Sequence, residues 1–159
     1  MSCIVLVEKT DRTNALIEQL TQVWERSVKA THLFLSDDEI AEIKKFVSGA
    51  LSQVEHLVIA INETGDPIGF VGVEGQKIEM LFISPEERGK GVGKAFIEYG
   101  IEHFAADQVT VNEQNPQALG FYEHLGFSAY KRTDTDEEGR PYPLLYMKLS
   151  YKLIQPNYE

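Results

Sequence analysis

Cysteine is nearly missing from this chain: Cys3 is the only one. No disulfide can close within it, and no Cys/His cluster stands at metal-ligand spacing, so no metal site is expected. Long apolar runs are missing too. Ile4-Val5-Leu6-Val7 is too short for a signal core and is followed by Glu8, Lys9, Asp11 and Arg12. Nowhere does an apolar stretch approach the roughly 18 residues of a membrane span. The expectation is a cytoplasmic protein that stays off membranes. Positive charge is scarce: 15 Lys and Arg face 25 Asp and Glu, a net charge of −10. Such a field repels a phosphate backbone and argues against nucleic acid as a partner. It weakly favours cationic ligands, although an acidic balance serves ordinary solubility equally well. Repeats, linkers and low-complexity tracts are also lacking, so residues 1–159 read as one domain, and a chain of this length can bury a sizeable core.

What is there is strongly patterned. Leu16, Leu20, Val23/Trp24 and Val28 recur at helical spacing from about Asn14, and Ser36 with Glu39 forms a capping box ahead of Ile40, Ile43, Val47 and Leu51. Leu57 to Ile61 and Ile68 to Val73 flank the turn residues Asn62 to Pro67, which predicts a hairpin. A third strand, Ile78 to Ile83, leads into a glycine-rich segment and a helix carrying Val92, Phe96, Ile101 and Phe104. After a strand at Val109–Val111, Asn115 and Pro116 read as N-cap and first helical residue, and Gly126 as the residue that ends that helix. A polar loop, Asp134 to Pro143, precedes a last strand at Leu144–Leu149. The order is β-α-α-β-β-β-α-β-α-β-β.

The glycine-rich segment, Arg88-Gly89-Lys90-Gly91-Val92-Gly93-Lys94, sits where strand gives way to helix. Three glycines at a helix entrance cost roughly 2–3 kcal/mol unless the backbone requires them. A helix N-terminus offers free N–H groups and the positive end of the dipole, and missing side chains let an anion approach closely. Arg88, Lys90 and Lys94 add charge of the right sign, with Glu86 and Glu87 beside them. A plain glycine corner with solvated charges is the bland alternative. The Walker pattern fails, because Arg88 stands at its first glycine and Ala95 replaces its Ser/Thr. A Rossmann reading has G-x-G-x-G rather than G-x-G-x-x-G; Glu113 lies about where a ribose-binding acid belongs, but the helix pair and hairpin upstream are the wrong surroundings.

A third pattern, Arg-x-x-Gly-x-Gly at Arg88, Gly91 and Gly93, together with Asn115, Gly120-Phe121-Tyr122 and Leu125-Gly126-Phe127, resembles the GNAT superfamily of acyl-CoA N-acyltransferases. Nearly the whole chain is similar to YjaB-type bacterial acetyltransferases, through Arg26-Ser27-Val28-Lys29-Ala30-Thr31-His32, Val111-Asn112-Glu113-Gln114-Asn115 and Pro141-Tyr142-Pro143-Leu144-Leu145. The resemblance implies an α/β (α+β) fold: a mixed, splayed sheet of about seven strands flanked by about four helices. It also implies acetyl-CoA as co-substrate, entering where two central strands diverge. Phe82 and Ile83 would offer backbone contacts to pantetheine. Arg88, Gly89, Lys90, Gly91, Val92, Gly93 and Lys94 would surround the pyrophosphate, with Asn115 and Tyr122 in the second cofactor-binding segment.

The activity implied is direct acetyl transfer to a primary amine. A lysine-type amine has a pKa of about 10.4, so roughly one in 2,500 is neutral at pH 7, and a proton must be removed. Tyr122 matches the family's tyrosine and is the candidate acid for the leaving thiolate; a core aromatic is its alternative reading. Glu79 is the candidate base, placed by strand alternation on the face of Leu81 and Ile83, or else an exposed strand charge. Lys77 stands where several relatives carry a carboxylate or His. That departure leaves room for a non-catalytic acyl-CoA-binding sensor or interaction module. His32 and Tyr142 are candidates on the acceptor side. Cys3 is too near the N-terminus to suggest a nucleophile. The acceptor's identity, and the choice between monomer and homodimer, are not encoded in any motif.

Overall fold

The computed structural model describes residues 4–150, so Cys3 lies outside the described residues. Among these, the element order is β1 (Val5–Glu8), α1 (Asn14–Thr31), α2 (Asp37–Gln53), β2 (His56–Ile61), β3 (Pro67–Glu74), β4 (Lys77–Ile83), α3 (Val92–Phe104), β5 (Gln108–Asn112), α4 (Pro116–His124), β6 (Phe127–Thr133) and β7 (Leu144–Leu149). The seven strands form one sheet in the order β1-β2-β3-β4-β5-β7-β6. Every neighbouring pair is antiparallel except β4 and β5, which run parallel. The expected number and order of elements is met, including the β2–β3 hairpin.

Alternation along β2 divides its side chains between two cores. Leu57 and Ile59 face the layer made by Leu20, Val23, Trp24 and Val28 of α1 with Ile40, Val47 and Leu51 of α2. Val58 and Ala60 face the opposite layer, with Phe96 and Ile97 of α3 and Tyr122 of α4. β2 and β3 are buried on both sides, which is why they read as nearly continuous apolar runs.

Local signals set the helix ends. Thr13 caps α1, its hydroxyl accepting from the Leu16 N–H at 3.1 Å. At α2 both halves of the capping box form, Glu39 N–H to Ser36 Oγ at 3.1 Å and Ser36 N–H to Glu39 Oε1 at 2.8 Å. The end of α2 has no basic residue of its own. Arg12 supplies the charge from the β1–α1 connection, donating to the carbonyls of Leu51 at 3.0 Å, Ser52 at 3.2 Å and Val54 at 2.6 Å.

Candidate functional site

The parallel pairing of β4 with β5 is brief. Lys77 opposes Gln108, Ile78 opposes Val109, and no further register pair follows before the strands part. Beyond Ile78 the β5-facing edge of β4 has no strand beside it among the described residues, so its peptide groups are free for an extended ligand. The gap opens into a cleft of about 390 Å³. Its walls are β4 from Ile78 to Ile83, β5 from Val109 to Asn112, the start of α3, one side of α4, and the end of α1. Phe82 and Ile83 are both on the wall. Thr110 is there too, its Oγ1 sealed from solvent without a hydrogen-bond partner among the described residues.

Glycine geometry shapes the upper end of the cleft. Gly89 and Gly91 have φ of +77° and +85°, where a side chain is strained, and a Cβ on either would touch nothing within 4 Å. Gly91 is the N-cap of α3 and, lacking a side chain, makes no capping bond. The first N–H groups of α3 therefore remain open to an anion. Arg88, Val92 and Lys94 line the same space. Gly93 is glycine for a different reason: a Cβ there would lie 3.1 Å from Phe121 Cζ and 3.3 Å from Ile83 Cδ1. Lys90 departs from the expected cradle. It is off the cleft wall, half-exposed, and pairs with Glu87 at 3.4 Å. Arg88 reaches across to α4, donating to Gln117 Oε1 at 2.9 Å.

The opposite wall is α4. Asn115 is buried, and its side-chain oxygen accepts from the Ala118 N–H at 3.2 Å, so it holds the helix start in place. Tyr122 lines the cleft while almost wholly buried, its ring edge-on to Phe121 at 5.0 Å and to Phe127 at 5.5 Å. Burial pushes its phenol well above the ordinary value, so it stays protonated through the neutral range.

Alternation along β4 breaks between Ile78 and Met80. Val73 opposes Ile78 and Gly72 opposes Met80, which leaves Glu79 as the unpaired residue of a bulge. The slip puts Ile78 in the core of Leu81 and Ile83 rather than that of Met80 and Phe82. Glu79 still reaches the cleft wall, with Lys77 Nζ 4.0 Å from its carboxylate. Lys77 also lies 3.9 Å from Glu137 and beside the Tyr146 ring.

His32 ends α1 on the cleft wall, in a run of rings that passes from Phe82 through His32 and Phe34 to Tyr142, with centroid separations of 6.1, 5.4 and 6.0 Å. Tyr142 belongs to this aromatic wall rather than to the cleft lining itself. Burial, and secondarily the charge of Arg88, lowers the His32 pKa to about 4. Sequence reasoning passed over Thr31, Thr110 and Gln117. Thr31 alone left a signal, a hydroxyl at a helix C-terminus able to bond back one turn. Among the described residues no three His, Cys, Asp or Glu side chains gather to hold a metal, and no helix is long and apolar enough to cross a membrane.

Residues 27–150 match the family model described as an acetyltransferase (GNAT) domain. The chain is 42% identical to the peptidyl-lysine N-acetyltransferase YjaB of Escherichia coli strain K12, over 80% of this chain and 86% of that protein. The solution structure of apo-form YjaB from Escherichia coli superposes with a TM-score of 0.82 at 38% identity, covering 92% of this chain and 97% of that one. An N-acetyltransferase from Thermoplasma acidophilum, solved in complex with coenzyme A, shares the fold at a TM-score of 0.69 and 20% identity, over 92% and 99% of the two chains.

Proposed function

This chain belongs to the GNAT acetyltransferase family, and from that premise we propose that it moves the acetyl group of acetyl-CoA to the side-chain amine of a peptidyl lysine, with no covalent enzyme intermediate. One observation carries the cofactor half of the reading: the parting of β4 from β5 after Ile78 and Val109, directly below an uncapped helix N-terminus. The pyrophosphate would meet the first N–H groups of α3, with Arg88 and Lys94 supplying charge. Pantetheine would run along the free edge of β4 past Phe82 and Ile83. Its amides suit an unpaired strand edge, and the polar Thr110 lies on the facing wall.

The thioester would then lie between β4 and Tyr122. A neutral amine attacks the carbonyl carbon, the C–N bond forms, and a β4 backbone N–H steadies the oxyanion. Collapse breaks the C–S bond. The departing thiolate takes the phenolic proton of Tyr122, while the new amide nitrogen gives up its surplus proton to solvent, from which the phenolate is reprotonated. Two carboxylates line the cleft, Glu79 and Glu87. Glu87 stands at the glycine turn and pairs with Lys90, so Glu79 is the group placed to accept the proton the amine must shed, directly or through water. The lysine acceptor rests on the named activity of the YjaB relatives and on the acidic field of a chain of net charge −10.

The test is release of CoA thiol from acetyl-CoA on addition of a short lysine peptide, with mass spectrometry of the peptide. Steady release with one acetyl group per lysine is expected. Acetyl-CoA binding without turnover would revive the sensor reading.

A further inference from the structure

The end of α1 holds a hydrogen-bond chain that fixes the protonation pattern of one cleft side chain. Thr31 Oγ1 lies 2.8 Å from the Ser27 carbonyl and 2.8 Å from His32 Nδ1. A carbonyl only accepts, so the single hydroxyl proton goes to Ser27 O. The Nδ1 contact is then a hydrogen bond only if Nδ1 carries the proton and Thr31 Oγ1 accepts it. Nε2 is left with a lone pair and no partner among the described residues. It is also not sealed, because the only sealed, unpartnered side-chain polar atoms there are Asp107 Oδ1 and Thr110 Oγ1. His32 and Thr31 both line the cleft.

We propose that His32, locked by Thr31 as the Nδ1–H tautomer, serves as a fixed neutral hydrogen-bond acceptor for the incoming amine, with Nε2 taking an amine N–H so that the nitrogen lone pair faces the thioester. This rests on the acetyltransferase reading above and assigns it a specificity-determining residue, with Thr31 as a positioning residue. The role differs from that of a general base. Burial keeps the imidazole neutral at pH 7, since its pKa is lowered to about 4, far below that of an alkylammonium at about 10.4. A charged imidazolium would repel a cationic acceptor and has no lone pair to offer. The ring is braced by Phe34 and Phe82, so the acceptor atom is held in one place. The titratable and charged groups sharing its cleft are Glu79 from β4, Glu87, Arg88 and Lys94 around the start of α3, and Tyr122 from α4, with Tyr142 behind Phe34.

Two measurements test this. Long-range proton–nitrogen NMR of the wild type should find Nδ1 protonated and Nε2 unprotonated from pH 7.5 down to about pH 5; the opposite tautomer, or an imidazolium at pH 7, overturns the proposal. In steady state with acetyl-CoA and Nα-blocked lysine, Thr31→Val and His32→Phe should each raise the amine KM about tenfold, the worth of one hydrogen bond, with the acetyl-CoA KM unchanged. Thr31→Ser, which keeps the hydroxyl, should restore the wild-type amine KM, and melting curves verify that each variant is folded. An unchanged amine KM in folded His32→Phe overturns the assignment while leaving the acetyltransferase reading standing. No turnover by the wild type with any amine overturns that reading, and this proposal with it.

Discussion

A Cβ placed on Gly93 would lie 3.1 Å from Cζ of Phe121. That contact seats the first turn of α3 against α4, one residue from Tyr122. Gly93→Ala must push the Phe121 ring aside, and the ring is held edge-on to Tyr122. We expect weaker acetyl-CoA binding and a lower kcat despite the gain of about 1 kcal/mol in helix propensity. Gly120→Ala is the matched control. It lies on α4 with nothing within 4 Å of its Cβ, and should leave activity unchanged and stability equal or slightly higher. Calorimetric affinities and melting curves for the two variants separate packing from propensity.

That relationship marks where sequence reasoning stops. Asn115, Pro116 and Gly126 fixed the ends of α4 because caps are written in adjacent residues, and the Ser36–Glu39 box did the same for α2. Gly91 was legible as a backbone requirement, and its φ of +85° agrees. Gly93, two residues on, looked the same but answers to Phe121, a partner 28 positions away that no local pattern names. Alternation along β4 was legible only in part: it holds only while register holds, and the bulge opposite Gly72 and Val73, which puts Ile78 in the core of Leu81 and Ile83, is a property of two strands together. Lys90 was read into the turn from its charge there and from the resemblance; where a lysine's flexible side chain points is not written locally, and this one turns to Glu87. The Thr31 chain was hidden in a stretch whose resemblance drew attention to His32 alone.

His32 makes stability depend on acid. In the unfolded chain its imidazole takes a proton near pH 6.5; folded, it does so near pH 4. Between these values the unfolded state binds more protons, so the free energy of unfolding rises with pH. The contribution is complete above pH 6.5 and is lost as pH falls to 4, amounting to about 3 kcal/mol. His32→Gln should flatten the stability profile across that window in urea unfolding at several pH values. An unaltered slope would refute burial of a neutral ring.

Tyr122→Phe removes the phenolic proton while retaining the ring that packs on Phe121 and Phe127. A drop in kcat of about 10²-fold with little change in either KM is expected for loss of a general acid. Because burial raises this phenol, its ionisation should put no descending limb on the wild-type pH–rate profile below pH 10.

Arg12→Ala strips the end of α2 of the guanidinium that serves Leu51, Ser52 and Val54. Three carbonyls, those of Leu51 and Val54 part-buried and that of Ser52 exposed, lose a charged donor, a cost of about 2 kcal/mol. The melting temperature should fall by roughly 4–8 °C at unchanged acetyl-CoA affinity. Arg12→Lys, a point charge without the fork, should recover only part of it.

The most direct measurement is calorimetric titration of acetyl-CoA into the wild type and Gly91→Glu, a variant that sets a carboxylate where the pyrophosphate should lie. Micromolar binding by the wild type and loss of at least 100-fold in the variant are expected, with the fold intact by circular dichroism, consistent with an unpaired like charge costing about 3 kcal/mol or more in a closed site. Equal affinity in the two proteins, or no binding by the wild type, would contradict the assignment of the β4–β5 cleft to acetyl-CoA.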